Sequence, residues 1–422
     1  SKGVLLLTLL ISFWTSAALA EALKKKEHDY YKDLNPEAMN KVSAYYKKEL
    51  FVKGSENLIV YYKTGSSFKV KFSSKKVAIK NLPLKKKRWR DAINKVILIN
   101  RVIKSFKNFS VKVVNVESHK EKVNLLNNKN VLFVGRNEFH KFTLRESLPL
   151  INQPDVKLMG HGGKGTSVVV VDTGIDYTRK TFGKCRKPRH NSHKPEGLCR
   201  VIFSKDFSSS MEAGVFKVKD DGKLDDSGHG TNVAGIISNI APKSKLISLD
   251  VFKKVKVEGQ IQNLASTADI IEALDWVIDN KERFNIVAVN LSLGGSLPYK
   301  GDCSRDNYHY SQIFKKLLKS SIIPVVAAGN EGHANKVGSP GCIKSGLTVG
   351  SVNDITDSVS NFSNGGRLVD ILAPGDSIVA AGIKMSGTSQ ATPHVTGAIA
   401  VLKSNELLSK SSNQEVIQAL TE

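Results

Sequence analysis

From about residue 165 onward the sequence repeats one texture, in which short apolar runs alternate with stretches of helical periodicity and with glycine-rich turns. The apolar runs include Ser167 to Asp172, Lys245 to Asp250, Ile286 to Ser292, Pro324 to Ala328 and Leu347 to Val352. Helical spacing marks Val233 to Asn239, Ser266 to Asn280 and Ser311 to Ser320. Strands that are apolar on both sides need cover on both faces, and successive parallel strands need crossover helices. The pattern therefore predicts an α/β fold, with a doubly wound, mostly parallel sheet flanked by helices. Functional groups in such sheets collect at the carboxyl ends of the strands.

Three segments carry chemistry at such positions. Val168-Val-Val-Val-Asp172-Thr-Gly-Ile-Asp176 is a buried strand ending on a carboxylate, which can serve as a cap or as a functional acid. Asp226-Ser-Gly-His229-Gly-Thr231 sets an imidazole between two glycines at the mouth of a helix, where other groups can approach the ring closely. Met385-Ser-Gly-Thr-Ser389-Gln-Ala-Thr-Pro393 puts a serine at a helix start, with Pro393 expected in the first turn. A serine there is an N-cap or, because the helix N-terminus favours a developing anion, a nucleophile.

Taken together, in the order Asp, His, Ser, these segments resemble the motifs of the subtilisin-like serine peptidases. The resemblance covers the chain from about residue 150 onward and implies Asp172 as the acid, His229 as the base and Ser389 as the nucleophile. It further implies that Asn330, in Val325-Val-Ala-Ala-Gly329-Asn330, donates to the oxyanion. Ser292, Leu293 and Gly294, with Ala327, Ala328, Gly329 and Gly338, resemble the walls and floor of the substrate pocket. Those walls carry small and apolar groups and no carboxylate, so the expected enzyme is a broad endopeptidase preferring an apolar P1 side chain. Two positions depart from the family pattern: Gln390 stands where Met is usual, and Asn232 where a second His is common. The chemistry requires no cofactor. Structural calcium is implied by the resemblance alone, and the metal ligands are not identifiable from the sequence.

The N-terminal third differs in texture. Lys2 followed by the apolar run Val4 to Phe13 and by Ala18-Leu19-Ala20 reads as a secretory signal peptide over residues 1–20. Residues 21–142 then read as a propeptide, compact over about 57–140, and residues 143–422 as the peptidase domain. In the compact part, Leu58 to Tyr62, Phe68 to Phe72, Val111 to Val116 and Val131 to Val134 look like strands, and Trp89 to Lys104 like a helix. Helical spacing also runs through Met39, Val42, Tyr45, Tyr46 and Leu50. This unit resembles the inhibitory propeptide of the family, which implies an intramolecular inhibitor removed by self-cleavage between Arg136 and Arg145.

The net charge of +24 raises nucleic-acid binding, but its location argues otherwise. Glu21 to Leu150 holds 30 Lys+Arg against 12 Asp+Glu, with no recognisable nucleic-acid module. Cys185, Cys199, Cys303 and Cys342 admit three pairings, of which the local one, 185 with 199 and 303 with 342, is expected after export. The absence of a C-x-x-C pair argues against zinc despite His190 and His193 in the first loop. A lipase would show G-x-S-x-G, which Gly387-Thr-Ser389-Gln-Ala391 breaks. The expectation is a secreted monomer, extracellular or periplasmic, with polypeptide substrates, no nucleic-acid partner and no membrane anchor once the signal is cleaved.

Overall fold

The computed structural model describes residues 34–35, 37–42, 56–63, 102–106, 110–137, 139–140, 162–188, 192–208, 216–217, 222–257, 260–295, 297–353, 358–404 and 410–421. Two compact units emerge, one of Ser1–Ile103 with Val111–Gly135, the other of Lys104–Ser110 with Arg136–Glu422. The signal-like segment and the expected strand Phe68 to Phe72 lie outside the described residues, as does the expected boundary at residue 142.

In the first unit, strands β1 (Glu56–Tyr62), β2 (Val102–Ser105), β3 (Val111–Val116) and β4 (Val131–Arg136) form a sheet in the order β2-β3-β1-β4. Helix α1 (His119–Leu126) sits between β3 and β4 in sequence. Its start is fixed twice, because Ser118 accepts from Glu121 N and Glu121 reaches back to accept from Glu117 N at 2.7 Å. Leu58, Val60, Val114, Leu125, Leu126 and Val134 form the core. Two expectations change here. The end of the expected Trp89 to Lys104 helix is strand, since the β-branched Val102 and Ile103 extend beside β3. At the start of the helical spacing around Met39 the described residues form a 3-10 turn, Ala38–Lys41, after which Val42 bridges to Val134; Tyr45, Tyr46 and Leu50 lie outside the described residues.

The second unit begins with β5 (Phe139–His140) and the long buried strand β6 (Ser167–Asp172). A hairpin of β7 (Gly183–Arg186) and β8 (Glu196–Cys199) leads to β9 (Val201–Asp206) and β10 (Phe216–Lys217). Helix α2 (His229–Ile240) precedes β11 (Lys245–Asp250), then the hairpin β12 (Phe252–Val257) and β13 (Gln260–Ser266). Helix α3 (Thr267–Phe284) returns to β14 (Ile286–Leu291) and β15 (Pro298–Tyr299), and α4 (Tyr308–Lys319) to β16 (Ile323–Ala327). After β17 (Val337–Gly338), β18 (Leu347–Val352) and β19 (Ile371–Pro374) comes the hairpin of β20 (Ile378–Ala380) and β21 (Ile383–Met385). Helices α5 (Thr388–Lys403) and α6 (Asn413–Thr421) follow.

Seven strands form one sheet in the order β19-β18-β16-β14-β6-β11-β9, and every neighbouring pair runs parallel. The fold is the expected α/β sheet flanked by helices. β6 and β14 are buried at every position. Burial on both faces comes from helix pairs, α2 with α5 and α3 with α4, that pack on the central strands. Register sets Asp172 beside Asp250, and Asp250 beside Asp206, so the carboxyl edge of this half of the sheet is acidic. Burial, reinforced by Asp206, pushes the Asp250 carboxyl well above the usual carboxylate range.

Candidate active site

Asp172 is the last residue of β6 and is fully buried. His229 opens α2 behind Gly228, whose φ of 80° is left-handed, a conformation glycine adopts without strain. On the other side, a side chain at position 230 would strike the Gly174 carbonyl and crowd Asp172 Oδ1, so only glycine lets this helix start so close to β6. The result is a hydrogen bond of 2.7 Å between His229 Nδ1 and Asp172 Oδ1, with both side chains fully buried. An imidazole that donates from Nδ1 to a carboxylate holds Nε2 as its basic nitrogen.

A second carboxylate that sequence reasoning missed ties these two elements together. Asp225 accepts from Thr173 Oγ1 at 2.8 Å and from the backbone N–H groups of Ser227, Gly228 and Thr231 at 3.0, 2.8 and 2.8 Å. Thr231 Oγ1 donates to it as well. Thr173 follows Asp172 directly, and Gly230 N donates to Thr173 Oγ1 at 3.0 Å. Burial raises the Asp225 carboxyl, opposed by hydrogen bonds from Thr231, Ser227 and Thr173. The available signal was the Asp225-Asp-Ser-Gly run itself, a turn-forming sequence ahead of a helix.

Ser389 is the second residue of α5 and is fully buried. Pro393 lies in the second turn, because the helix already starts at Thr388. That correction explains a local arrangement. Pro393 has no N–H to give to the carbonyl four residues back, which is that of Ser389. Ser292 Oγ donates to that carbonyl instead, at 2.7 Å, and Ser389 Oγ donates to Ser292 O at 3.2 Å. Asn330 Oδ1 accepts from Thr388 N and Thr388 Oγ1 at 2.8 and 2.9 Å. This fixes the sense of the amide, acceptor toward the helix and donor away from it.

The expected pocket segments are brought together. Gly295 N donates to Ser339 O at 2.6 Å, joining the stretch after Ser292, Leu293 and Gly294 to the next wall. Gly338 N donates to Ala328 O at 3.1 Å, and Gly329 N to Thr388 Oγ1 at 3.1 Å. Cys303 pairs with Cys342, whose N–H donates to Gly338 O, and Cys185 pairs with Cys199 across the β7–β8 hairpin. The Glu331 carboxylate borders this region: a side chain at Gly329 would meet Glu331 Oε2 at 2.7 Å, and Asn364 Nδ2 donates to that same oxygen at 2.6 Å. Asp302 accepts from Ser304 N and Oγ and from Lys344 N. Among the described residues no group of three or more His, Cys, Asp or Glu could hold a metal ion, so no calcium site is derived. Nor is any described helix long and apolar enough to cross a membrane.

Strand β5 adds antiparallel to β13, opposing His140 to Ala265 and Phe139 to Ser266. This edge pairing joins segments far apart in the chain, a long-range contact that local sequence pattern does not encode.

Comparison with known proteins bears on this arrangement. The model of the Subtilase family matches residues 163–422. The chain is 30% identical over 299 residues to the "Major intracellular serine protease" of Bacillus subtilis, covering 66% of this chain and 81% of that protein. It is 31% identical over 261 residues to the "Intracellular serine protease" of Paenibacillus polymyxa, covering 57% and 67%. With the "Alkaline protease 1" of Aspergillus clavatus it shares 34% over 214 residues, covering 47% and 49%. The matched span runs through the parallel sheet and all the residues described at its carboxyl edge, and it makes the protein a serine-type endopeptidase: the chain belongs to the subtilase family.

Proposed function

We propose that Asp172, His229 and Ser389 form the catalytic triad, that Asn330 donates to the oxyanion, and that the enzyme matures by removing its own N-terminal segment. The observation that carries this reading is the fully buried 2.7 Å bond from His229 to Asp172 at the carboxyl edge of the sheet. His229 Nε2 takes the Ser389 Oγ proton as Oγ bonds to the scissile carbonyl carbon. Asp172 stabilises the imidazolium. Asn330 Nδ2 and the Ser389 N–H meet the oxyanion, helped by the positive end of α5. The carbon–nitrogen bond then breaks as His229 returns the proton to the leaving amine, and a water molecule repeats the cycle on the acyl-enzyme. No cofactor enters these steps.

Self-processing is supported by β5, an extended segment added to an open sheet edge in the way a peptide binds by strand addition. Its position suits cleavage between Arg136 and Arg145. Secretion is supported by the signal-like N-terminus and the two disulfides, although relatives named as intracellular show that the family works in either setting. The walls at Leu293, Ala327 and Ala328 favour an apolar P1 residue; Glu331, engaged by Asn364 beside Gly329, is an acid that could admit a basic one.

The test is to incubate the purified full chain beside its Ser389→Ala variant and assay the product on a P1-varied peptide library. The expected result is a new N-terminus between residues 136 and 145 in the wild type alone, with Phe and Leu favoured at P1. Processing of the Ser389→Ala chain at the same rate would remove the triad assignment, and a Lys or Arg preference would move specificity to Glu331.

A further inference from the structure

We propose that Asn232 and Gln390 are positioning residues for the hydrolytic reaction, and that the bond between their buried amides braces the His229 helix against the Ser389 helix. This rests on His229 and Ser389 being base and nucleophile. Asn232 lies three residues after His229 in the first turn of α2, and Gln390 directly follows Ser389 in α5. Both side chains are fully buried. Gln390 Nε2 donates to Asn232 Oδ1 at 3.2 Å. Asn232 Nδ2 in turn donates to Ile383 O at 2.8 Å, with a longer contact of 3.4 Å to Ile378 O. One relay thus joins the helix of the base, the helix of the nucleophile, and the β20–β21 hairpin that runs directly into Ser386 to Ser389.

The surroundings show why a directional bond matters here. Val233, Ala234 and Ile237 of α2, with Ala391 and Val395 of α5, belong to the same apolar core cluster. Apolar contacts tolerate small sliding motions, whereas a buried amide pair is satisfied in one alignment only. Gln390 Oε1 is buried with no hydrogen-bond partner. An apolar side chain would avoid that cost, so stability alone does not account for glutamine at this position. What the amide does provide is the link to Asn232.

Four full-length proteins test this: wild type, Gln390→Met, Asn232→His and the double variant, each matured and titrated with a fluorophosphonate so that kcat is expressed per active site. Each single variant should lower kcat by roughly 10- to 100-fold with KM nearly unchanged, the scale expected for small misplacements of reacting groups. The double variant should lose no more than the worse single variant, because each single change already breaks the one bond between the two side chains. Additive losses in the double variant would overturn the proposal. So would single variants that lose thermal stability or titratable sites while keeping the wild-type kcat per site, since that marks a contact with no positioning role. If a single variant fails to mature, Gln390→Leu, close in size but without the amide, and the phosphonate-labelling rate of the precursor give the same comparison. Failure of the wild type to label at Ser389 would instead sink the triad reading, leaving the two failures distinct.

Discussion

The oxyanion role proposed for Asn330 rests on a side chain with two ends, one of them already engaged by Thr388. Its Oδ1 is taken by Thr388 N and Oγ1, which leaves the amide no choice about where its donor points. A donor fixed before the reaction starts costs no reorganisation when the oxyanion forms. Asn330→Ala is therefore expected to lower kcat by roughly 100- to 1,000-fold with little change in KM, a scale known from subtilisin itself. Steady-state kinetics on a peptide anilide measure both, and a raised KM at unaltered kcat would assign Asn330 to ground-state binding. Glycines, a strand end and a helix start mark Asp172, His229 and Ser389 as candidates in the sequence, while the roles of these three and of Asn330 come from the resemblance to the subtilisin-like motifs. Asp225 is not marked in this way, since its five donors come from two elements that meet only in the folded chain.

At the scale of elements, α5 holds a pH-dependent contribution to stability. His394 is buried within α5 with Nδ1 2.8 Å from Gln390 O, and burial lowers its pKa to about 4 from an ordinary 6.5. Between those values the unfolded chain takes up a proton that the folded chain does not. Its contribution is thus intact above pH 6.5 and is lost as the pH falls toward 4, to a total of roughly 3 kcal/mol. Thermal unfolding of the Ser389→Ala chain, with and without His394→Gln, should show a shallower fall in Tm over that interval for the glutamine variant. Equal slopes would place the acid sensitivity elsewhere. Strands such as β6 and β14 were legible because their mostly apolar runs, Val168 to Val171 and Ile286 to Val289, suit burial between two layers. Helix α1 was not, because His119–Leu126 is mostly polar and is set by its cap and by Val123, Leu125 and Leu126 facing the sheet. The strand at Val102–Ser105 lost its expected helical state to pairing with β3, a long-range contact that local periodicity does not encode.

For the molecule as a whole, two covalent links hold surface loops onto the sheet framework. Cys185–Cys199 spans 14 residues and Cys303–Cys342 spans 39. Loop-closure entropy in the unfolded chain gives about 3 kcal/mol for the shorter and about 4 kcal/mol for the longer. Replacing Cys303 and Cys342 by Ser should lower Tm more than replacing Cys185 and Cys199. Differential scanning calorimetry of the two double-serine chains on the Ser389→Ala background reads this order directly, and the reverse order would show that native-state contacts outweigh chain entropy.

The central claim is that Asp172, His229 and Ser389 act as one unit. Its most direct measurement is the kcat of the three single alanine variants and of the triple variant, produced with the N-terminal segment removed by an added protease at an inserted site. If the three side chains work together, Ser389→Ala or His229→Ala alone should cost about as much as removing all three, near 10^6-fold by the precedent of subtilisin, with Asp172→Ala costing less. Losses that multiply across the three positions, or a His229→Ala enzyme retaining more than about a tenth of wild-type kcat, would contradict the account.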